Sequence, residues 1–165
     1  VDLSEDVLKT LDIAIASIHI PCFRDERTVE NVTAAYENVM ENPYVDIIGH
    51  PDDGRFPVDM KRLVSKAKKT GTLLEVNNSS LRPDGFRENT KENCLRMVKE
   101  CKEQGVMIVL GSDSHVDADI AESICGRNLE ESKFSGGTDC QSFTGKIESL
   151  YKIWQKAIDF MNLVC

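Results

Sequence analysis

The chain has 165 residues, enough for one domain of ordinary size, and its 41% hydrophobic and 29% charged content is that of a globular protein with a core of its own. A formal net charge of −8 and the lack of a basic stripe exclude a general nucleic-acid binder, which needs clustered Lys and Arg to neutralise phosphates. No run approaches the roughly 18 apolar residues of a membrane span, and no signal-like leader opens the chain, so a cytoplasmic protein without a membrane partner is expected.

From the N-terminus, residues 11–19 form an apolar run rich in β-branched residues, which predicts a buried strand ending before Pro21. Residues 27–42 place Val29, Val32, Ala35, Tyr36 and Val39 on one helical face, and Pro43 stops that helix. A second strand over 44–50 closes at Pro51. Residues 57–71 predict a helix with Asp59 in its first turn, basic residues later and Gly71 after its end. A third strand covers 72–78, a helix 87–105, and a fourth strand 106–112. The strands start about 30 residues apart, the period of βαβ units, and are near-continuously apolar, as in parallel sheets. The class is α/β, either an open doubly wound sheet or part of a (β/α) barrel.

The last 40 residues are less regular. Residues 118–126 predict a short helix, 127–145 a polar loop, and 146–165 a C-terminal amphipathic helix with Ile147, Leu150, Tyr151, Trp154, Ile158, Met161 and Val164 on one stripe. The domain organisation expected is therefore one domain over 1–126, the loop, and that helix. The six cysteines form no C-x-x-C pair. Cys94 and Cys101, seven apart, predict small core residues on one helical face, and all six are expected to be reduced.

The chemistry gathers at strand ends. The chain has three histidines, His19, His50 and His115, and each lies at the C-terminal end of a predicted strand, the edge where parallel α/β folds build sites. In "VLGSDSH" (109–115) Gly111 and Ser112 suit a turn. Asp113 and His115, two apart, face the same way in extended chain and form a carboxylate–imidazole pair suited to zinc, iron or manganese. Strand three ends in Glu75, Asn77 and Asn78. Glu75 is read equally as a site residue or as a paired structural charge. Arg55 and Arg82, in the loops after strands two and three, are candidate phosphate binders with Asn77, since guanidinium groups donate in parallel pairs; Arg24 is a weaker one. No phosphate-binding glycine loop, dinucleotide fingerprint or nucleophile elbow is present in the sequence, which favours metal-activated water over a covalent nucleophile.

The motifs "IASIHIP", "IIGHP", "LEVNNSS" and "VLGSDSH", in that order and spacing, resemble the second half of the PHP (polymerase and histidinol phosphatase) superfamily, nearest the YcdX-type phosphatases, from Val1 to about Ile120. The resemblance implies about four parallel strand–helix units of a distorted (β/α)7 barrel, hydrolysis of a small phosphorylated substrate, and up to three divalent metal ions, zinc or manganese. It makes His19, His50, Asp113 and His115 metal ligands, His19 and His50 sharing one metal, with Asp113 and His115 also catalytic. The family's opening His-x-His strand, its Thr-Asp-His strand end and its bridging glutamate have no counterpart here. A truncated phosphoesterase is therefore expected, completed by a homodimer partner or by an N-terminal half. The alternatives are an amidohydrolase-like metal hydrolase and an inactive fragment or subunit.

Overall fold

The computed structural model describes residues 1–82 and 85–116. The helix expected over 118–126, the loop over 127–145 and the amphipathic helix over 146–165 lie outside the described residues, as do Cys125, Cys140 and Cys165. The described chain runs α1 (Glu5–Leu8), β1 (Ile15–Ala16), α2 (Val29–Val39), β2 (Ile47–Ile48), α3 (Met60–Thr70), β3 (Leu73–Asn77), a 3-10 turn (Ser79–Leu81), α4 (Thr90–Gln104) and β4 (Ile108–Gly111). The four strands form one parallel sheet in the order β1-β2-β3-β4. Among the described residues the strand order follows the chain order, an α/β arrangement of parallel strands and alternating helices.

Each helix boundary has a local cause. Thr28 starts α2 because its hydroxyl accepts from the Asn31 amide at 3.2 Å. The Asp59 carboxylate does the same for Arg62 at 3.1 Å, which starts α3 three residues later than the 57–71 pattern predicts. Gly71 ends α3 in the left-handed region, at φ 80°, and its amide donates to the Ala67 carbonyl. Asn89 sits at φ 51°, also left-handed, so α4 cannot begin before Thr90. That displaces Arg87 and Glu88 from the expected helix into the loop after β3.

The strands alternate faces with period two. Ile48, Leu74, Val76 and Ile108 share one face by register, and α2, α3 and α4 cover it with Val32, Tyr36, Leu63, Val64, Ala67, Cys94, Met97 and Cys101. Full burial of a side chain such as Leu63 or Val64 contributes roughly 1.5–3 kcal/mol. Cys94 and Cys101 are thus the core residues their spacing predicts. The expected strand over 11–19 pairs only over Ile15–Ala16, because β1 is an edge with β2 as its neighbour and β2 is equally short.

The other face is divided. Ile15, Ile47 and Leu73 occupy its N-terminal half, and Val109 lies further along, beside Glu75. Towards the C-terminal edge it carries Ser17, Gly49, Glu75, Asn77 and Gly111, all small or polar. The fold therefore delivers polar groups to one rim of one face.

Candidate active site

His50 follows Gly49 at the end of β2, with φ 33°, a left-handed conformation that a histidine adopts only when its surroundings hold it there. Here the holder is Glu75 on β3. Its Oε2 accepts from the His50 amide at 2.7 Å and from Asn77 Nδ2 at 3.2 Å. That turn aims the imidazole at His19. The two rings lie 5.0 Å apart, edge to face at 74°. His19 Nε2 is 3.0 Å from the Ser17 hydroxyl, while His50 Nδ1 is buried with no hydrogen-bond partner. Burial, then the charges of Arg87 and His19, depress the His50 pKa to about 4, so its ring is neutral, the form that binds metal.

Asp113 lies just beyond β4, left-handed at φ 51°. Its Oδ2 accepts from Arg87 Nη2 at 2.9 Å. Burial alone raises its pKa, but the bond and charge of Arg87 outweigh burial and hold the carboxyl below its ordinary range. Arg87 Nη1 donates to Asn77 Oδ1 at 3.3 Å and to Ser80 Oγ at 3.1 Å, so one guanidinium ties the ends of β3 and β4 together. His115 is exposed, and its Nδ1 is 2.9 Å from the Asp113 carbonyl. A carbonyl only accepts, so Nδ1 is the donor in this contact.

The predicted residues thus fall into three groups. His19 faces His50, and Asp113, joined to Asn77 through Arg87 and followed by the exposed His115, acts electrostatically on His50. Arg55 stands apart in the loop after β2, where its fork grips Asp53 at 2.6–3.1 Å. Arg82 closes the turn after β3, where its carbonyl accepts from the Gly85 amide. No group of three or more His, Cys, Asp or Glu side chains is spaced to hold a metal ion among the described residues. The donor set fits a metal in part: two imidazoles face each other, one is neutral with an orphaned nitrogen, and the third donor is not in place.

Arg87 was the residue least visible in the sequence. The run Asn89-Thr90 resembles a helix start, and reading it so would have left Arg87 in a strand-end loop with the other candidates. Asp52, in "HPDD", is the other addition. It is buried, its Oδ1 accepts from Ser80 Oγ at 3.2 Å, and its Oδ2 has no partner. Burial raises its pKa to about 7, against the Ser80 bond and the Arg87 charge.

The two shifts act oppositely on stability. The Asp52 carboxyl binds a proton in the folded state between about pH 4 and 7 where the unfolded chain has lost it, so stability falls as pH rises through that window. His50 stays neutral between 6.5 and about 4 where the unfolded ring is charged, so its contribution rises with pH over nearly the same window. The slopes offset each other in the native protein. Asp52→Asn removes the Asp52 part of that balance and leaves the histidine slope less opposed. Urea titrations should find that variant more stable than the parent by on the order of 2 kcal/mol at pH 8 and equal to it at pH 4. A constant difference across that range would contradict the assignment.

No family model matches the chain. It is 52% identical over 115 residues to a probable phosphatase of Clostridium novyi (strain NT), a match covering 70% of this chain and 46% of that protein. A probable phosphatase of Thermoanaerobacter sp. (strain X514) is 45% identical over 119 residues, 72% of this chain and 48% of its own length. One from Acetivibrio thermocellus is 43% identical over 119 residues, again 72% of this chain and 48% of its own length. The chain is similar to probable phosphatases. It spans about half the length of the curated relatives it matches. No helix of the described residues is long and apolar enough to cross a membrane.

Proposed function

We propose that this chain carries part of the active site of a PHP-type, metal-dependent phosphoesterase. The observation that supports this best is the facing pair His19 and His50, 5.0 Å apart at the C-terminal ends of neighbouring parallel strands, with Asp113 close enough to His50 to act on its charge. The names of the similar proteins favour phosphoester chemistry over amide hydrolysis.

In this reading His19 and His50 hold one divalent ion, zinc or manganese, and Asp113 and His115 contribute to others, with the remaining donors supplied by an N-terminal half or a second copy. When bound, such ions activate water and neutralise charge on the transferring phosphoryl group. The chain's own residues do the rest. Glu75 fixes the His50 turn. Arg87 keeps Asp113 ionised. Arg55, with Asn77 and Arg82 near the strand-three end, is the candidate contact for the oxygens of the small phosphorylated substrate.

The test is hydrolysis of p-nitrophenyl phosphate with manganese or zinc, by this chain alone and mixed with the N-terminal half of the Clostridium novyi relative. The expected result is metal-dependent turnover in the mixture, reduced at least 100-fold by His50→Ala. A mixture equally active after chelation, or one that hydrolyses a cyclic amide and no phosphoester, overturns the reading.

A further inference from the structure

Phe86 has the most exposed side chain among the large hydrophobic residues described, at 69%. It buries too little surface to be explained by packing. What it touches is charge. The Arg55 guanidinium carbon lies 4.9 Å from the ring centroid and that of Arg87 lies 5.1 Å away. Both are inside the range in which a cation is attracted by an aromatic face.

The two arginines come from different places. Arg55 belongs to the loop after β2, and Arg87 to the loop before α4 that also carries Phe86. Those loops are joined at the backbone: the Gly54 amide donates to the Glu88 carbonyl at 2.7 Å. A Cβ on Gly54 would meet that oxygen at 2.6 Å, so only glycine permits the approach. Beside the junction is an open cleft of about 420 Å³ lined by Arg27, Gly54, Arg55 and Glu88.

Each guanidinium also has its own carboxylate. Arg55 binds Asp53 through Nε and Nη2, and Arg87 binds Asp113 through Nη2, with its Nη1 on Asn77 and Ser80. Among the described residues these bonds leave the Nη1 hydrogens of Arg55 and the Nε–H of Arg87 uncommitted. A guanidinium held by a carboxylate on one side and an aromatic ring on another has lost most of its rotamer freedom before any ligand arrives.

We propose that Phe86 is a positioning residue whose ring sets Arg55 and Arg87 at a fixed spacing, so that their remaining N–H groups receive the oxygens of one phosphate group. This rests on the phosphoester reading above. It deepens that reading by making Arg87, not only Arg55, a phosphate contact and by giving the exposed phenylalanine a role through both.

The full chain, labelled with 15N-arginine, is titrated with inorganic phosphate while the Nε–Hε signals are followed. In the native protein the Arg55 and Arg87 signals are expected upfield, shielded by the ring, and both move as phosphate binds. Each contact is worth about two- to fivefold, so Phe86→Leu should lose the upfield shift and bind phosphate about tenfold more weakly. Phe86→Tyr keeps an aromatic face and should restore both within about twofold, which a merely structural role for the side chain would not require. Phe86 is exposed, so both variants should fold, and circular dichroism checks this. The proposal is overturned if Phe86→Leu binds phosphate as the native chain does, if Phe86→Tyr fails as Leu does, or if phosphate moves neither arginine. A chain that binds phosphate as expected while no phosphoester is hydrolysed in the reconstituted mixture leaves this inference standing and removes the hydrolase reading.

Discussion

Gly111→Ala is expected to destabilise the protein by about 3 kcal/mol, seen as a lower urea midpoint with an unchanged slope. A Cβ built on Gly111 would stand 1.9 Å from Glu75 Oε1 and 2.9 Å from its Cδ. The colliding atoms end a flexible side chain, which in open surroundings would swing away at little cost. Here the side chain is not free to do so. Glu75 is buried, and its Oε2 holds the His50 amide and Asn77 Nδ2. Moving Cδ out of contact withdraws Oε2 from both, and an unpaired buried donor costs about 1–3 kcal/mol on top of the overpacking. His50 would also lose what keeps it left-handed at φ 33°.

A second substitution separates collision from backbone effect. In Glu75→Ala the clash is gone but the bonds are lost too, so that variant is also destabilised. Added to it, Gly111→Ala should cost less than about 0.5 kcal/mol, a coupling of more than 2 kcal/mol between the positions. A Gly111→Ala cost that persists in the Glu75→Ala background would show that the glycine answers to something other than the carboxylate. Glu75→Gln keeps a carbonyl oxygen where Oε2 accepts, and should be mild.

This pair shows where the sequence was legible. The alternation of strands and helices was, because the period-3.6 stripe of α2 and the capping residues Thr28, Asp59 and Gly71 are local signals. The three histidines were, because a strand followed closely by a Pro or a Gly-Ser turn fixes which end they occupy. Glu75 was only half legible. A charged residue in an apolar strand announces a partner, but that partner is a backbone amide 25 residues away, and the space it fills exists because residue 111 has no side chain. Arg87 was hard to read for a different reason: its one local signal is the Asn89-Thr90 helix start, and it is the left-handed Asn89 that breaks the helix after it. Gly111, which suited a turn in the sequence, is the last residue of β4, and the turn begins after it.

The second large effect is expected at Arg87. Its side chain is 6% exposed and donates to Asn77, Ser80 and Asp113. Arg87→Leu keeps the apolar stem and removes every one of those donors, leaving a carboxylate and two further acceptors facing a gap. Removing one partner of a buried ion pair costs about 3–5 kcal/mol. The Asp113 side chain is 25% exposed, so water recovers part of this, and about 2–4 kcal/mol is expected at pH 7. Arg87→Lys should fall between, since an ammonium cannot span three acceptors set for a planar fork.

The pH dependence distinguishes this loss from a simple cavity. The Asp113 carboxyl is depressed by Arg87, so the stability it contributes is present above its unfolded pKa near 3.8 and is lost as pH falls through the lower folded value. Arg87→Leu has no such contribution to lose. The gap between native and variant should therefore be widest at neutral pH and narrow below about pH 4, where the unfolded Asp113 takes up a proton first and the native one follows at lower pH. A gap constant from pH 7 to 3 would mean that Arg87 acts through packing alone. The same substitution should raise the His50 pKa from about 4, because the Arg87 charge, after burial, is what holds it down. One guanidinium thus acts on two of the proposed ligands, holding the Asp113 carboxyl down against burial and adding to the burial that keeps the His50 ring neutral.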